Sequence, residues 1–150
     1  MSTNTNTNTS TSTSTSTPNR ICSIAFLKKK PSLTHDEFYH HWSHVHGPLV
    51  KPWMERHGIT GYTQVHATPQ LNDATATPLG PEKKKEKGDE GGDPLGGFDG
   101  AAVIEAASWD VLEGAFADEY YRDVIAKDEE RFLDRGAGVL RKRGLVNRVI

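Results

Sequence analysis

Five of the chain's seven histidines fall between His35 and His46, in the run HDEFYHHWSHVH. Imidazole is the side chain whose charge changes nearest neutral pH, so such a cluster suits either metal binding or proton transfer. His40 and His44 stand four apart, the spacing that puts two imidazoles on one helix face as zinc-binding helices do. No glutamate completes an HExxH pattern, Cys22 is the only cysteine, and His57 and His66 are the only spare imidazoles. The expectation is no bound metal, with a histidine doing acid–base work instead.

Helical geometry separates these histidines. Thr34 and Glu37 have the spacing of a capping box, with Leu33 placed to staple onto Phe38, so a helix starts here. At about 100° per residue from Phe38, Trp42 falls near 40° and Val45 near −20°, which predicts these three as the buried stripe. His46 falls at about 80°, on the flank of that stripe, whereas His40, His41 and His44 fall at about 200° to 300°, on the solvent side. His46 is therefore the candidate catalytic residue. It precedes Gly47-Pro48, which is expected to interrupt the helix, and there the helix dipole favours the imidazolium while burial opposes it. Opposed effects of this kind keep a histidine titrating near neutrality, as a proton-transfer catalyst requires.

The elements around this helix follow from periodicity. Ile21 to Leu27 reads as a strand that is apolar on both faces, and such a strand is buried on both. Ile59 to Ala67 reads as a second strand that puts Tyr62, Gln64 and His66 on one face, making Tyr62 and His66 candidate catalytic partners of His46. Gly100 to Ala107 reads as a third strand, Ser108 as the cap of a helix bearing Trp109, Leu112 and Phe116, and Leu145 to Ile150 as a fourth strand, with a paired segment around Val139 as a candidate to precede it. The order β-α-β-β-α-β predicts an α+β, ferredoxin-like unit, an antiparallel sheet with both helices on one face. The first strand's second apolar face then needs a cover, and a second copy of the sheet is the simplest one.

Two stretches contribute nothing to a core. Residues 1–18 alternate Ser, Thr and Asn, a composition expected to stay disordered, and residues 68–97 crowd Pro, Gly and the charge run EKKKEKGDE into an expected flexible insertion. Residues 19–150 are read as one domain. A net charge of −2, from 18 basic and 20 acidic residues, gives no nucleic-acid footprint. No apolar run approaches the ~18 residues of a membrane span. A soluble, cytoplasmic protein is expected, bound to neither nucleic acid nor membrane.

The run FYHHWSHVHGPL, following ICSIAFLKKKP and the capping box, resembles the EthD-like members of the dimeric α/β-barrel superfamily, in fungal form. The match falls on Phe38, Trp42, His46, Gly47, Pro48 and Leu49, with GYTQVHA and FDGAAVIEAASWDVLEGAF resembling later family segments. The resemblance implies a homodimer, a pocket between sheet and helices in each copy, and no cofactor. It also implies a lyase, decarboxylase or dehydratase, that tailors an aromatic polyketide or similar β-keto substrate, with Phe26, Phe38, Trp42 and Trp53 as candidate substrate-binding residues. Two alternatives stay open: a cofactor-free monooxygenase or isomerase on the same scaffold, and a protein that only binds a small aromatic ligand.

Overall fold

A computed structural model of the chain describes residues 20–68 and 97–150. The tail expected over residues 1–18 lies outside them, as do residues 69–96 of the expected insertion. Four strands, β1 (Arg20–Leu27), β2 (Gly61–His66), β3 (Gly100–Ala106) and β4 (Leu140–Val146), form one antiparallel sheet in the order β2-β3-β1-β4. This is the α+β, ferredoxin-like arrangement read from the sequence. In β1 the residues Ile21, Ser23, Ala25 and Leu27 are buried against the helices, while Cys22, Ile24 and Phe26 are half-buried on the open face. The fourth strand lies earlier than Leu145–Ile150; its register against β1 runs from Arg20 opposite Val146 to Phe26 opposite Leu140. Three consecutive basic residues in LRKRGLV hid its span, because this edge strand is exposed and carries no buried period.

The first helix begins at its capping box: Glu37 N–H donates to Thr34 Oγ1 at 3.2 Å and Thr34 N–H to Glu37 Oε2 at 2.8 Å. Gly47-Pro48 does not interrupt it. α1 (His35–His40) passes through a π-helical segment (His41–His46) into α2 (Gly47–Arg56), with Pro48 just after the π-helical segment. The Ser43 hydroxyl donates back to the Tyr39 carbonyl at 2.7 Å, a bond that competes with the regular helix ladder, and Gly47 N–H reaches Trp42 O five residues back.

That wider turn changes which residues are buried. Phe38, Trp42, His46, Val50 and Met54, each four apart, are all at most 8% exposed. In an unbroken α-helix each step of four overshoots a turn by about 40°, which would carry Met54 about 160° from Phe38. The slower rotation of the π-helical segment absorbs much of this drift and brings His46 from the flank into the stripe. Val45, expected in the stripe, is correspondingly 43% exposed, and His41, expected in solvent, turns toward the body of the protein.

The second helical segment starts where Ser108 Oγ accepts from Val111 N–H at 3.3 Å. α3 (Trp109–Phe116) ends at Ala117, and a π-helical turn (Tyr121–Ile125) leads into α4 (Ala126–Phe132). Asp118 joins the two helical segments by accepting from His57 Nε2 at 2.7 Å and Arg56 Nη2 at 3.1 Å. Trp53 Nε1–H donates to Ala115 O at 3.1 Å across the same seam. Phe38, Trp42, Phe132 and Leu133 close the core at the other end. Gly100 makes room for Trp42: a Cβ there would stand 2.6 Å from the indole and 2.5 Å from Val65 O. Among the described residues no helix is long and apolar enough to cross a membrane.

Candidate active site

Sheet and helices flank a partly open cavity of about 80 Å³ whose wall includes Trp42, His46, Trp53, Tyr62, Tyr121, Ile125, Glu129 and Phe132, with Arg135 and Arg141 also on it. Most of this wall is aromatic or aliphatic, so the few polar groups on it are the ones that can act on a ligand.

His46 is the first. It is 5% exposed and held against the Phe132 ring, centroids 5.0 Å apart. Its Nδ1–H donates to Asp128 Oδ2 at 2.9 Å. A carboxylate there fixes the tautomer and leaves Nε2 with a free lone pair. Burial pushes the His46 pKa below its ordinary value, against the raising effect of Asp128. The imidazole is thus neutral near physiological pH and oriented as a base. The other oxygen of Asp128 accepts from His41 Nε2 at 2.9 Å, and Asp128 itself is 5% exposed. One carboxylate therefore holds two imidazoles. They bind different oxygens of it, and among the described residues no His, Cys, Asp and Glu cluster is arranged to hold a metal ion.

Tyr62 is the second. Its hydroxyl oxygen accepts from Trp42 Nε1–H at 3.1 Å and from Gln64 Nε2–H at 3.3 Å. Both partners are obligate donors in this arrangement, because Gln64 Nε2 also donates to the Trp42 carbonyl at 2.9 Å, which fixes its amide orientation. The Tyr62 proton is left for an acceptor in the cavity. Burial raises the Tyr62 pKa, so the phenol stays a donor.

The third is a carboxyl, Glu129. It accepts from Tyr121 OH at 3.3 Å and from Arg135 Nη1 at 3.0 Å. Burial raises the Glu129 pKa, with Arg135 opposing, and burial together with the nearby Glu129 carboxyl pushes the Tyr121 pKa up to about 12.

The candidates read from the sequence are divided by this geometry. His46, Tyr62, Trp42 and Trp53 meet at the cavity. His66 does not line it; its ring stacks between Tyr39 and Trp42, at 4.7 and 5.0 Å, and its Nε2 lies 3.3 Å from Gln64 Oε1. Phe38 is wholly buried behind Trp42, and Phe26 lies on the open sheet face beside Phe98. Both aromatic side chains pack the scaffold away from the cavity wall. Asp128, Glu129 and Tyr121 carried no signal as single letters, since AKDEERF looks like a solvated helix. Their spacing holds one: Tyr121, Ile125, Asp128 and Phe132 continue a helical stripe, so an acid falls at a position that should be apolar.

The EthD domain model matches residues 30–136, well over half of the chain. The chain belongs to the EthD domain family. This EthD protein is 46% identical over 48 residues to "Dehydratase aurZ" of Gibberella zeae, a stretch covering 32% of each chain. It is 24% identical over 106 residues to "Dehydratase ustZ" of Ustilaginoidea virens, covering 71% of this chain and 69% of that relative. The matched stretch thus spans only about a third of aurZ. Among solved structures, an EthD-family protein of Bacillus halodurans superposes with a TM-score of 0.51 at 15% identity, covering 83% of this chain and 96% of the other. At that identity the likeness is one of fold alone.

Proposed function

We propose that this EthD protein is a cofactor-independent lyase that removes water from a β-hydroxy ketone carried on an aromatic, polyketide-like substrate. The observation that supports the proposal is that one cavity is lined both by His46, whose Nδ1 is bonded to Asp128 so that Nε2 is left as the basic nitrogen, and by Tyr62, whose hydroxyl oxygen already accepts two hydrogen bonds and so keeps its proton for a ligand. His46 takes the proton from the carbon beside the ketone. Tyr62 donates to the ketone oxygen as negative charge builds there, which a preorganised donor in a dry site stabilises more than water does. The enolate then re-forms the ketone, its electrons become a double bond to the β-carbon as the C–O bond breaks, and the departing hydroxyl takes up a proton and leaves as water. Trp42 and Trp53 provide flat apolar surface for the rings of the ligand. The names of aurZ and ustZ favour loss of water over loss of carbon dioxide, although the same base and donor would serve either.

The half-buried apolar residues Ile24 and Phe26, with Val65 48% exposed on the same sheet face across β3, support a second copy of this chain as the cover of the open sheet face. Dimerisation would complete the barrel and leave the base and the donor within each copy.

Incubating the purified protein with an aromatic β-hydroxy ketone should yield a product lighter by one water, seen by mass spectrometry, with no oxygen uptake. Carbon dioxide release from a β-keto acid without any water loss would overturn the proposal in favour of decarboxylation. Oxygen uptake would overturn it in favour of an oxygenase, and saturable binding without turnover in favour of a ligand carrier.

A further inference from the structure

Hydroxide is a poor leaving group, so the dehydration needs an acid at the departing oxygen as well as a base at carbon. His46 is committed to the carbon side, its ring pinned by Asp128 from behind. The neighbouring residue on α4 offers a separate group. Successive residues on a helix point about 100° apart. Asp128 is turned to His46 and His41, whereas Glu129 is turned to Tyr121 and Arg135 and lines the same cavity. Its side chain is only 16% exposed, against 64% for Glu130 next to it. A solvated acid on a surface helix would look like Glu130.

We propose that Glu129 is the catalytic acid that delivers the proton to the departing hydroxyl, with Tyr121 and Arg135 holding its carboxyl in place at the cavity wall. The inference rests on the dehydratase reading above. In the step, the O–H bond of the Glu129 acid breaks and a new O–H bond forms on the leaving oxygen. The C–O bond breaks with its electron pair on that oxygen, and the enolate electrons become the new carbon–carbon double bond. Water departs, Glu129 is left as carboxylate, and His46 holds the proton taken from carbon. Return of one proton from His46 to solvent and uptake of one by Glu129 restores both. The groups that face Glu129 fit both of its states. Burial favours the neutral acid before the step, and the Tyr121 hydroxyl, Arg135 and the more distant Arg141 stabilise the anion after it, with the Asp128 charge opposing them.

The test compares two ketones with the full chain: one with a β-hydroxyl and one with a β-acetoxy group, which leaves as acetate and needs no proton. Glu129→Gln should raise the ratio of acetoxy to hydroxy turnover about 10²-fold over wild type, the low end of what a positioned acid contributes. An unchanged ratio, whether both rates fall together or neither falls, would overturn the proposal. Arg135→Gln supplies a second readout at a half-exposed site. Arg135 lowers the Glu129 pKa, so its removal should raise that pKa and carry the alkaline limb of hydroxy-ketone turnover to higher pH. An unmoved or downward-moved limb would count against Glu129 as the acid. If wild type eliminates neither group, it is the dehydratase reading that fails, independently of Glu129.

Discussion

Asp128→Asn is expected to lower the dehydration rate by about 10²- to 10⁴-fold, the range set by a positioned acid–base catalyst, while leaving the sheet intact. The carboxylate accepts from two imidazoles at 2.9 Å each, and an asparagine can offer only one acceptor oxygen. With the amide N–H turned to His46 Nδ1, that nitrogen becomes the acceptor and the imidazole proton moves to Nε2, which removes the lone pair from the cavity. The pH profile carries a second signature. The His46 pKa lies below its ordinary value because burial outweighs Asp128, and activity that needs the neutral imidazole rises with pH through that pKa. Without Asp128 only the lowering influences of burial and His41 remain, so the acid limb should move to lower pH even as the plateau falls. An acid limb that moves upward would mean that Asp128 does not act on His46 as its geometry implies. Initial-rate measurements of kcat/KM across pH decide this.

Tyr62→Phe is expected to cost about 10²- to 10³-fold in kcat, the usual loss for one donor to a developing oxyanion, with a smaller change in KM. The split between kcat and KM matters because the donor is worth most when the ketone oxygen carries negative charge. The substitution also strands two donors. Trp42 Nε1–H and Gln64 Nε2–H both end on the Tyr62 oxygen, and losing a buried acceptor costs about 1–3 kcal/mol, so the melting temperature should fall as well. A fall in stability with kcat unchanged would reduce Tyr62 to a packing residue. Steady-state kinetics and a thermal melt on the same preparation separate the two effects.

Much of the scaffold was readable because its signals are local. Thr34 and Glu37 announce the first helix, Ser108 the second, and β2 shows its alternation openly enough to place Tyr62, Gln64 and His66 on one face. His46 could be picked from its neighbours, although for a geometric reason that was only half right. A constant step of 100° put it on the flank and put Val45 inside; the π-helical segment reverses both, and its only local marks are a serine that bonds backward and a proline that follows. The same error sent His41 to solvent. The missing half of the site, Asp128 and Glu129, is missing for a different reason. Their partners lie 82 positions away for His46 and 8 for Tyr121, and only the tertiary fold says that one of two adjacent acids faces one histidine pair while the other faces a tyrosine and an arginine. His66 illustrates the reverse case: its face was read correctly, but Trp42 stands between it and the cavity.

Every later step of the mechanism depends on His46 removing a proton from the carbon beside a ketone in this cavity. Exchange of that proton for deuterium in heavy water, followed by mass spectrometry or NMR on a ketone that lacks the β-hydroxyl, isolates this step from all that follows it. Wild type should catalyse the exchange, with an acid limb below the ordinary histidine value, and His46→Gln should reduce it to the uncatalysed rate while Glu129→Gln does not. Exchange that persists at the wild-type rate in His46→Gln would contradict His46 as the base.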